Sequence, residues 1–600
     1  MCAIHGILDK RPLDIVKMIE AAHHRGPDGN GKWNDDDITL GHNLLSITDI
    51  VSNSNQPWFH NNLVLVYNGE IYNYKELGKE FDLKTNNDTE VLIKGIEKYG
   101  VDFLYKIDGM FAFACYNKKT KDLIIARDSN GSKPFYYTNF NNTFAFSSEI
   151  KSLLSLGVPR KVNLEAFSHY YNSGLVAGYL TMFKQINKLI PGEIKIINLK
   201  TKSENKFNIN NKHIEQLKFD SKFSRDNILS LIPEKLNEAV KMTQMGRREI
   251  GLFLSGGMDS SSILYELKSL GIKSNCFSTS FLNESNVYNE DSILAKKLAE
   301  LYESNFKDVV TTSDSWIDNF EKAIYCLEEP RQGKSYSSYF QTNKFLSDNG
   351  ITVTLTGDGG DELLAGYKHH RRPNWKNKFT SLRGNHKELK NSQLQLTVEQ
   401  QVDYLNSWIP KGGLQGDELN DFLYIESLHT LSEDFLIRND KLGMNFSMET
   451  RFPMMCNVFR DFIRSIPGKE KLKSKFTEIS VANKPLLREA YVNKLPDFII
   501  NKSKSGWRSP TDDWIIGDSK KPASNDNPVR HYLRSLIEDN KEAQELFEIN
   551  MKDVDERYLN NYDWRGINKI GGPGIGVLSQ KQLFIVATYC VWAKQYNMII

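Results

Sequence analysis

Cys2 carries a thiol, and removal of Met1 would place a free α-amine on the same carbon. The small side chain at position 2 suits that removal. The ordinary pKa of such an amine is ~8 and that of a thiol ~8.5. One group can act as base for the other, so the pair forms a nucleophile that needs no histidine. A second constellation lies in the other half of the chain. Leu254-Ser255-Gly256-Gly257-Met258-Asp259-Ser260-Ser261 follows an apolar run and opens a helical pattern. Gly256 and Gly257 let backbone N–H groups approach an anion, and a helix N-terminus adds unsatisfied donors and a positive dipole end. Ser255, Ser260 and Ser261 add hydroxyl donors. Asp259 would repel a phosphate unless it holds Mg²⁺ that in turn holds the phosphates. The loop lacks the lysine of G-x-x-x-x-G-K-[ST] and the spacing of G-x-G-x-x-G.

A third constellation, Thr356-Gly357-Asp358-Gly359-Gly360-Asp361-Glu362, ends another apolar run. Asp361 is a candidate second Mg²⁺ ligand and Asp358 a candidate base. A calcium loop or a solvated turn is the plain alternative, but the EF-hand spacing is absent. Ligands of open α/β sheets bind beyond the carboxyl ends of strands, so these two loops can face one site.

The elements that must position these residues fall into two groups. Up to about residue 200 the pattern is rich in strands: Leu63 to Tyr67, ending at the turn signal Asn68-Gly69; Met110 to Ala114; Leu123 to Ala126; and Gly192 to Leu199. A helical pattern covers Thr89 to Lys98. This predicts an α+β domain with stacked sheets. Lys200 to Asp226 is polar and reads as a linker. Beyond it, strands at Glu249 to Leu254, Cys276 to Phe281 and Ile351 to Leu355 alternate with helices at Ser260 to Leu270, Asp291 to Tyr302 and Ser337 to Ser347. That alternation predicts a parallel, doubly wound sheet. Residues after Gln400 read mostly as helices. Gly517 to Asn527 and Gly571 to Gly576 read as mobile loops.

The chain has 600 residues, with 40% hydrophobic and 25% charged, which is room for two or three globular domains. A net charge of +2 gives no sign of nucleic acid or an anionic membrane as partner. The six cysteines form no C-x-x-C pair, which argues against zinc and dithiol redox sites. The N-terminus shows no signal-peptide pattern, and the apolar run at Leu583 to Trp592 is too short to span a bilayer. A cytoplasmic enzyme is expected.

The S-G-G-x-D-S loop followed by G-D-G-G-D-E-L resembles the glutamine-hydrolysing asparagine synthetases. The first half is similar to their class II glutamine amidotransferase domain. It carries Met1 to Ile7, Arg25-Gly26-Pro27-Asp28-Gly29, Asn68-Gly69-Glu70-Ile71-Tyr72-Asn73 and Asn87-Asp88-Thr89-Glu90. Asp108 to Phe113, Ala126-Arg127-Asp128 and Ser147-Ser148-Glu149-Ile150-Lys151 follow. Glu449-Thr450-Arg451-Phe452-Pro453 resembles the family's E-x-R-x-P motif, and Lys504-Ser505-Gly506-Trp507 its K-x-G-F motif.

The resemblance implies an N-terminal nucleophile domain of stacked antiparallel sheets over 1–205. An ATP-pyrophosphatase domain over 226–600 follows, with a doubly wound parallel sheet and a helical C-terminal part. It implies that Cys2 attacks the glutamine side-chain amide and that Asn68 and Gly69 stabilise the oxyanion, at ~3 kcal/mol per donor. Glu70 and Asp88 would hold the glutamine α-ammonium. ATP would activate the aspartate side chain as an acyl-adenylate, and ammonia carried through an internal passage would give asparagine. Phe253, Thr279, Thr356 and Gly357 match adenosine-contacting positions. Asp259 and Asp361 would hold Mg²⁺, and Lys504 would neutralise developing phosphate charge. The implied ligands are glutamine, ATP, Mg²⁺ and aspartate or a related carboxylate; a homodimer is also expected.

Two positions depart from the family. Leu44 stands in His42-Asn43-Leu44-Leu45-Ser46-Ile47 where an arginine usually grips the glutamine α-carboxylate. Leucine cannot form that bidentate pair. Cys456 stands where an acid is common, at a position expected to shape the acceptor pocket. An acceptor other than aspartate, or a β-lactam synthetase-like cyclisation, are the alternative readings. Cys2, Asn68, Gly69 and Asp88 argue against the second, which predicts a degenerate first domain.

Overall fold

The computed structural model describes residues 2–47, 55–217, 224–282, 290–374, 389, 396–408, 414, 416–475, 483–504, 514, 528–551, 554 and 580–600. The first half builds two six-stranded antiparallel sheets. One runs, in spatial order, Ile186–Lys188, Tyr136–Phe140, Thr143–Ser147, Cys2–Ile7, Thr39–Leu44 and Gly29–Asn34. The other runs Glu204–Asn208, Glu193–Asn198, Asp122–Arg127, Gly109–Asn117, Leu63–Ile71 and Trp58–His60.

Strand Leu63–Ile71 shows why its sequence is a near-continuous apolar run. Leu63, Leu65, Tyr67 and Ile71 pack with Val91, Leu92 and Ile96 of helix Asp88–Tyr99. Val64 and Val66 pack with Ile4, Ile38 and Leu40 of the facing sheet. Both faces are buried, so the usual polar alternation is absent. The turn expected at Asn68-Gly69 does not form. The strand continues through it, with Asn68 opposite Ala112 and Gly69 opposite Phe111. A Cβ on Gly69 would lie 2.2 Å from the Met110 carbonyl oxygen, so the glycine admits a close neighbouring strand.

The second half holds a five-stranded parallel sheet, in the order Asn305–Thr311, Asn275–Phe281, Ile250–Phe253, Val353–Leu355 and Glu449–Arg451. Helices Arg225–Met242 and Met258–Ser269 join one apolar cluster with Leu252, Cys276 and Leu355. Helix Tyr336–Asp348 contributes Leu346 to another, with Phe277, Ile351 and Met448. Adjacent strand residues thus feed separate apolar clusters, as a doubly wound sheet requires. The expected strands and helices in this half form within two residues of their read boundaries. The edge strands Asn305–Thr311 and Glu449–Arg451 escaped the reading. The first is half polar and partly exposed, and the second has only three residues.

The stretch read as a linker is in large part ordered. Glu204–Asn208 pairs with Glu193–Asn198, and Ile209–Gln216 is helical. The two loops expected to be mobile lie outside the described residues. Helix Gln580–Gln595 buries Phe584, Val586 and Trp592 in a cluster with Phe167 and Phe183 of the first half. Among the described residues, no helix is long and apolar enough to cross a membrane. All six cysteines are free and buried.

The two halves meet through buried charges. Arg25 donates to Glu149 at 2.8 Å and to Asp440 at 2.7 Å. Lys441 pairs with Glu149 and Glu328, and Glu328 accepts from the N–H groups of Ile150 and Lys151. Glu433 pairs with Lys188 at 2.6 Å and Arg127 at 3.3 Å. Arg127 also donates to the carbonyls of Lys133, Leu189 and Gly131, and Asp128 accepts from four backbone N–H groups. The Arg127-Asp128 motif therefore braces the fold. Against the opposing pull of burial, Lys188 and Arg127 hold the Glu433 carboxyl below its usual range. Glu433→Gln leaves two buried cations without their counter-charge and is expected to cost about 3–5 kcal/mol. Equilibrium urea unfolding checks this; an unchanged midpoint would contradict it.

Candidate active site

Cys2 opens the strand that lies between Thr39–Leu44 and Thr143–Ser147. Its backbone N–H donates to Asn68 Oδ1 at 3.0 Å, and Arg25 Nε donates to its carbonyl at 3.2 Å. The same Asn68 presents its amide Nδ2, which is buried and has no hydrogen-bond partner among the described residues. An unspent donor beside a thiol is what an oxyanion requires. Burial pushes the Cys2 thiol up, and the Leu45 N–H pulls it back.

Glu70 lies two residues beyond Asn68 on the same strand and so on the same face. Burial, helped by the nearby Glu449 carboxylate, raises its carboxyl from 4.5 to about 8. Asp88 opens the helix Asp88–Tyr99. Its Oδ2 accepts from the Tyr67 hydroxyl at 2.8 Å and the Ile71 N–H at 2.9 Å, and burial raises its carboxyl. Leu44 is the register partner of Cys2 on the adjacent strand, so no cation stands at that position.

The second site is a cavity of about 430 Å³ beyond the ends of the parallel strands. Phe253, Ser255, Gly257, Asp259 and Ser260 line it from the first loop, and Thr279 from the next strand. Thr356, Gly357, Asp358 and Asp361 line it from the acidic loop, and Lys504 closes it. Ser261, the third serine expected as a donor, does not line it, and neither does Gly256. Its φ of +66° turns the chain, and a Cβ there would meet the Asp291 carbonyl oxygen at 2.7 Å. Gly256 therefore serves the turn, and Gly257 faces the cavity. Ser260 Oγ accepts from the Ser255 N–H at 3.1 Å, which shapes the loop. Cys456 does not line the cavity either. It is buried in an apolar cluster with Leu431, Phe452 and Phe459.

Sequence reasoning missed Lys484. It sits between the two carboxylates, contacting Asp259 and lying 2.9 Å from Asp361. Its φ of 49° is left-handed, a strained backbone just before Pro485. Lys504 also contacts Asp361 and lies 4.1 Å from the centre of the Tyr367 ring. The remainder of its motif, 505–507, lies outside the described residues. Although burial opposes it, Lys484 and Lys504 hold the Asp361 carboxyl at about 2. Asp259 pairs with Lys484, and burial pushes its carboxyl up.

Asp259 Oδ1 is buried and has no hydrogen-bond partner among the described residues. Two hard carboxylates converging on one point, one with an orphaned oxygen, fit a Mg²⁺ ion. Asp358 Oδ2 accepts from Thr356 Oγ1 and Asn439 Nδ2, both at 2.8 Å, and Arg438 lies 3.9 Å from Oδ1. This arrangement suits orienting neighbours as well as base chemistry. Arg438 and Lys484 follow no spacing rule that marks them, because both are brought in from distant helical segments.

Arg451 reaches both sites. Its carbonyl accepts from the Thr356 N–H at 3.2 Å, at the root of the acidic loop. Its guanidinium donates to Glu449 at 2.5 Å, with Nη2 3.8 Å from Glu70. The E-x-R-x-P motif thus stands at the junction, beside the Cys2 site.

Residues 1–208 match the family model of the glutamine amidotransferase domain, and residues 231–552 that of asparagine synthase. Glutamine-hydrolyzing asparagine synthetase 1 of Bacillus subtilis is 26% identical over 603 residues, covering 90% of this chain and 90% of that protein. Amidase chyE of Penicillium rubens is 26% identical over 585 residues, covering 84% and 86%. Glutamine-hydrolyzing asparagine synthetase 3 of Bacillus subtilis is 25% identical over 547 residues, covering 84% and 86%.

Glu70 supplies a pH signature. Its value in the folded chain lies above the ordinary 4.5, so the native state holds a proton that the unfolded chain releases. That contribution to stability is fully present below the ordinary value and is lost as pH rises through about 8. The thermal midpoint is expected to fall between about pH 4.5 and pH 8, and Glu70→Gln to flatten part of that fall. Identical pH profiles for the two proteins would rule this out.

Proposed function

The chain belongs to the asparagine synthase family and carries a glutamine amidotransferase domain before the synthase domain, and from that premise we propose that it converts aspartate to asparagine. The nitrogen is released from glutamine at Cys2. The thiolate attacks the side-chain amide carbon, and the α-amine exposed by loss of Met1 takes and returns the proton. Asn68 Nδ2 and the Gly69 N–H receive the oxyanion. Ammonia leaves, and water cleaves the thioester to free glutamate.

In the second site a carboxylate oxygen of aspartate attacks the α-phosphorus of ATP, and pyrophosphate departs. Ammonia then displaces AMP from the acyl-adenylate. Phe253, Thr279, Thr356 and Gly357 would cradle the adenosine, and Ser255, Gly257 and Ser260 the phosphates. Lys484 and Lys504 neutralise charge on the departing pyrophosphate. Asp259 and Asp361 would hold Mg²⁺, which screens the triphosphate charge when bound. The observation that carries the reading is the meeting of these two carboxylates and two lysines in one cavity at the strand ends.

A second reading is amidation of another carboxylate. A relative named amidase matches this chain at the same 26% identity as one named asparagine synthetase.

Pyrophosphate release from ATP, with aspartate and either glutamine or an ammonium salt, tests both readings. Aspartate-dependent release with either nitrogen source is expected. Cys2→Ala should lose the glutamine-dependent rate and keep the ammonium-dependent one. Asn68→Ala should lower the glutaminase kcat by about 10²–10³. No aspartate-dependent pyrophosphate under either condition would sink the aspartate reading, and release with another acid would establish the second.

A further inference from the structure

Glutamine carries two opposite charges on Cα, so a pocket for it needs an anion and a cation a few ångströms apart. The surroundings of Cys2 hold three carboxyl groups, Glu70, Asp88 and Glu449, close enough to act on one another. The nearby guanidinium groups are already paired with carboxylates, and each keeps a buried Nη2 without a hydrogen-bond partner among the described residues. Arg25 donates to Glu149, Asp440 and the Cys2 carbonyl. Arg451 donates to Glu449 and to the carbonyls of Thr243 and Met245. Both are fully buried, and Leu44 brings no charge.

A third guanidinium stands on the Leu44 edge and comes from the other half of the chain. Gly246, at φ +104°, turns the chain against Ile47, and the Arg247 N–H donates to the Ile47 carbonyl at 3.2 Å. This seats Arg248 so that Nε donates to the Ser46 carbonyl at 2.9 Å and Nη2 to Asp28 Oδ2 at 3.3 Å. Asp28 is tied to the same edge. Its N–H donates to the Leu44 carbonyl at 3.0 Å, and its Oδ2 accepts from the Ser46 N–H at 2.8 Å. The Arg248 side chain is 32% exposed, and its Nη1 has no partner among the described residues. Asp28 fixes the plane of the guanidinium, and the remaining N–H groups are left to receive a second carboxylate.

We propose that Arg248, carried by the synthetase half, is the cation that receives the α-carboxylate of glutamine on the Leu44 edge of the Cys2 site. The assignment rests on the glutaminase reading above. An α-ammonium placed beside Glu70 and Asp88 favours their ionised forms, and the α-carboxylate is then directed away from them toward Arg248. Recognition of the nitrogen donor is then shared between the two domains.

Initial rates of ammonia release by the full-length protein test this, with L-glutamine compared against L-glutamine methyl ester, which lacks the carboxylate charge. The native protein should favour glutamine over the ester. Arg248→Ala should raise the KM for glutamine about 10- to 100-fold and leave that for the ester unchanged, so that the preference vanishes. Leu44→Arg added to Arg248→Ala should restore it. If Arg248→Ala does not fold, Arg248→Gln keeps a donor for the Ser46 carbonyl and gives the same comparison. An unchanged glutamine-to-ester KM ratio in a folded Arg248 variant would overturn the assignment while leaving the glutaminase reading intact. If the native protein releases no glutamate from glutamine, both fall together.

Discussion

Charges buried between the two halves dominate this protein. Arg25, Lys441, Glu149, Glu328 and Asp440 are all nearly inaccessible, and each finds its partners partly in the other half. A buried ion without its counter-charge costs several kcal/mol, so the halves are held in a register that satisfies every pair. A purely apolar junction would tolerate sliding. This one does not, because a shift of a few ångströms would strand ions in a low dielectric. The Cys2 strand is tied into the network through Arg25, which holds the Cys2 carbonyl and Asp440 at once.

Both sites use the same physical device, polar atoms left incomplete on rigid elements. At Cys2 it is the Asn68 amide nitrogen, held in place because the other end of that amide accepts from the Cys2 backbone. In the cavity it is Asp259, whose free oxygen faces a region already balanced by Lys484. Fixed donors and charges cost no reorganisation when the reacting charge develops. The strained backbone at Lys484 agrees with this, since such strain persists where the surroundings over-determine a residue. Arg451 joins the two sites through one short strand, its backbone at the acidic loop and its side chain beside Glu70.

The parts legible in the sequence were those whose signal is local. Ser255 to Ser260 and Thr356 to Glu362 each follow a strand and enter a helix or turn, so composition alone placed them at strand ends. The strands of the parallel sheet core were legible because short strand-like runs alternate there with helical patterns. The turn expected at Asn68-Gly69 was misread because the dipeptide's usual use is local, whereas here a neighbouring strand's close approach sets the glycine. The same holds for Gly256 and Gly257. Either could face a phosphate, and only the helix beginning at Glu290 decides which one does not.

By itself the sequence determined the chemistry at hand: a terminal thiol, a phosphate loop, an acidic loop, and the order of the two domains. Each of these is set by residue types within a few positions of one another. The tertiary structure alone decided which charges face each other. It placed Lys484 between Asp259 and Asp361, and put Glu449 and Arg451 beside the Cys2 site. It also set Arg248 on the edge left uncharged by Leu44. Pairings across more than a hundred residues leave no periodic trace in a single chain, because Coulomb energy depends on distance in space and not along the sequence.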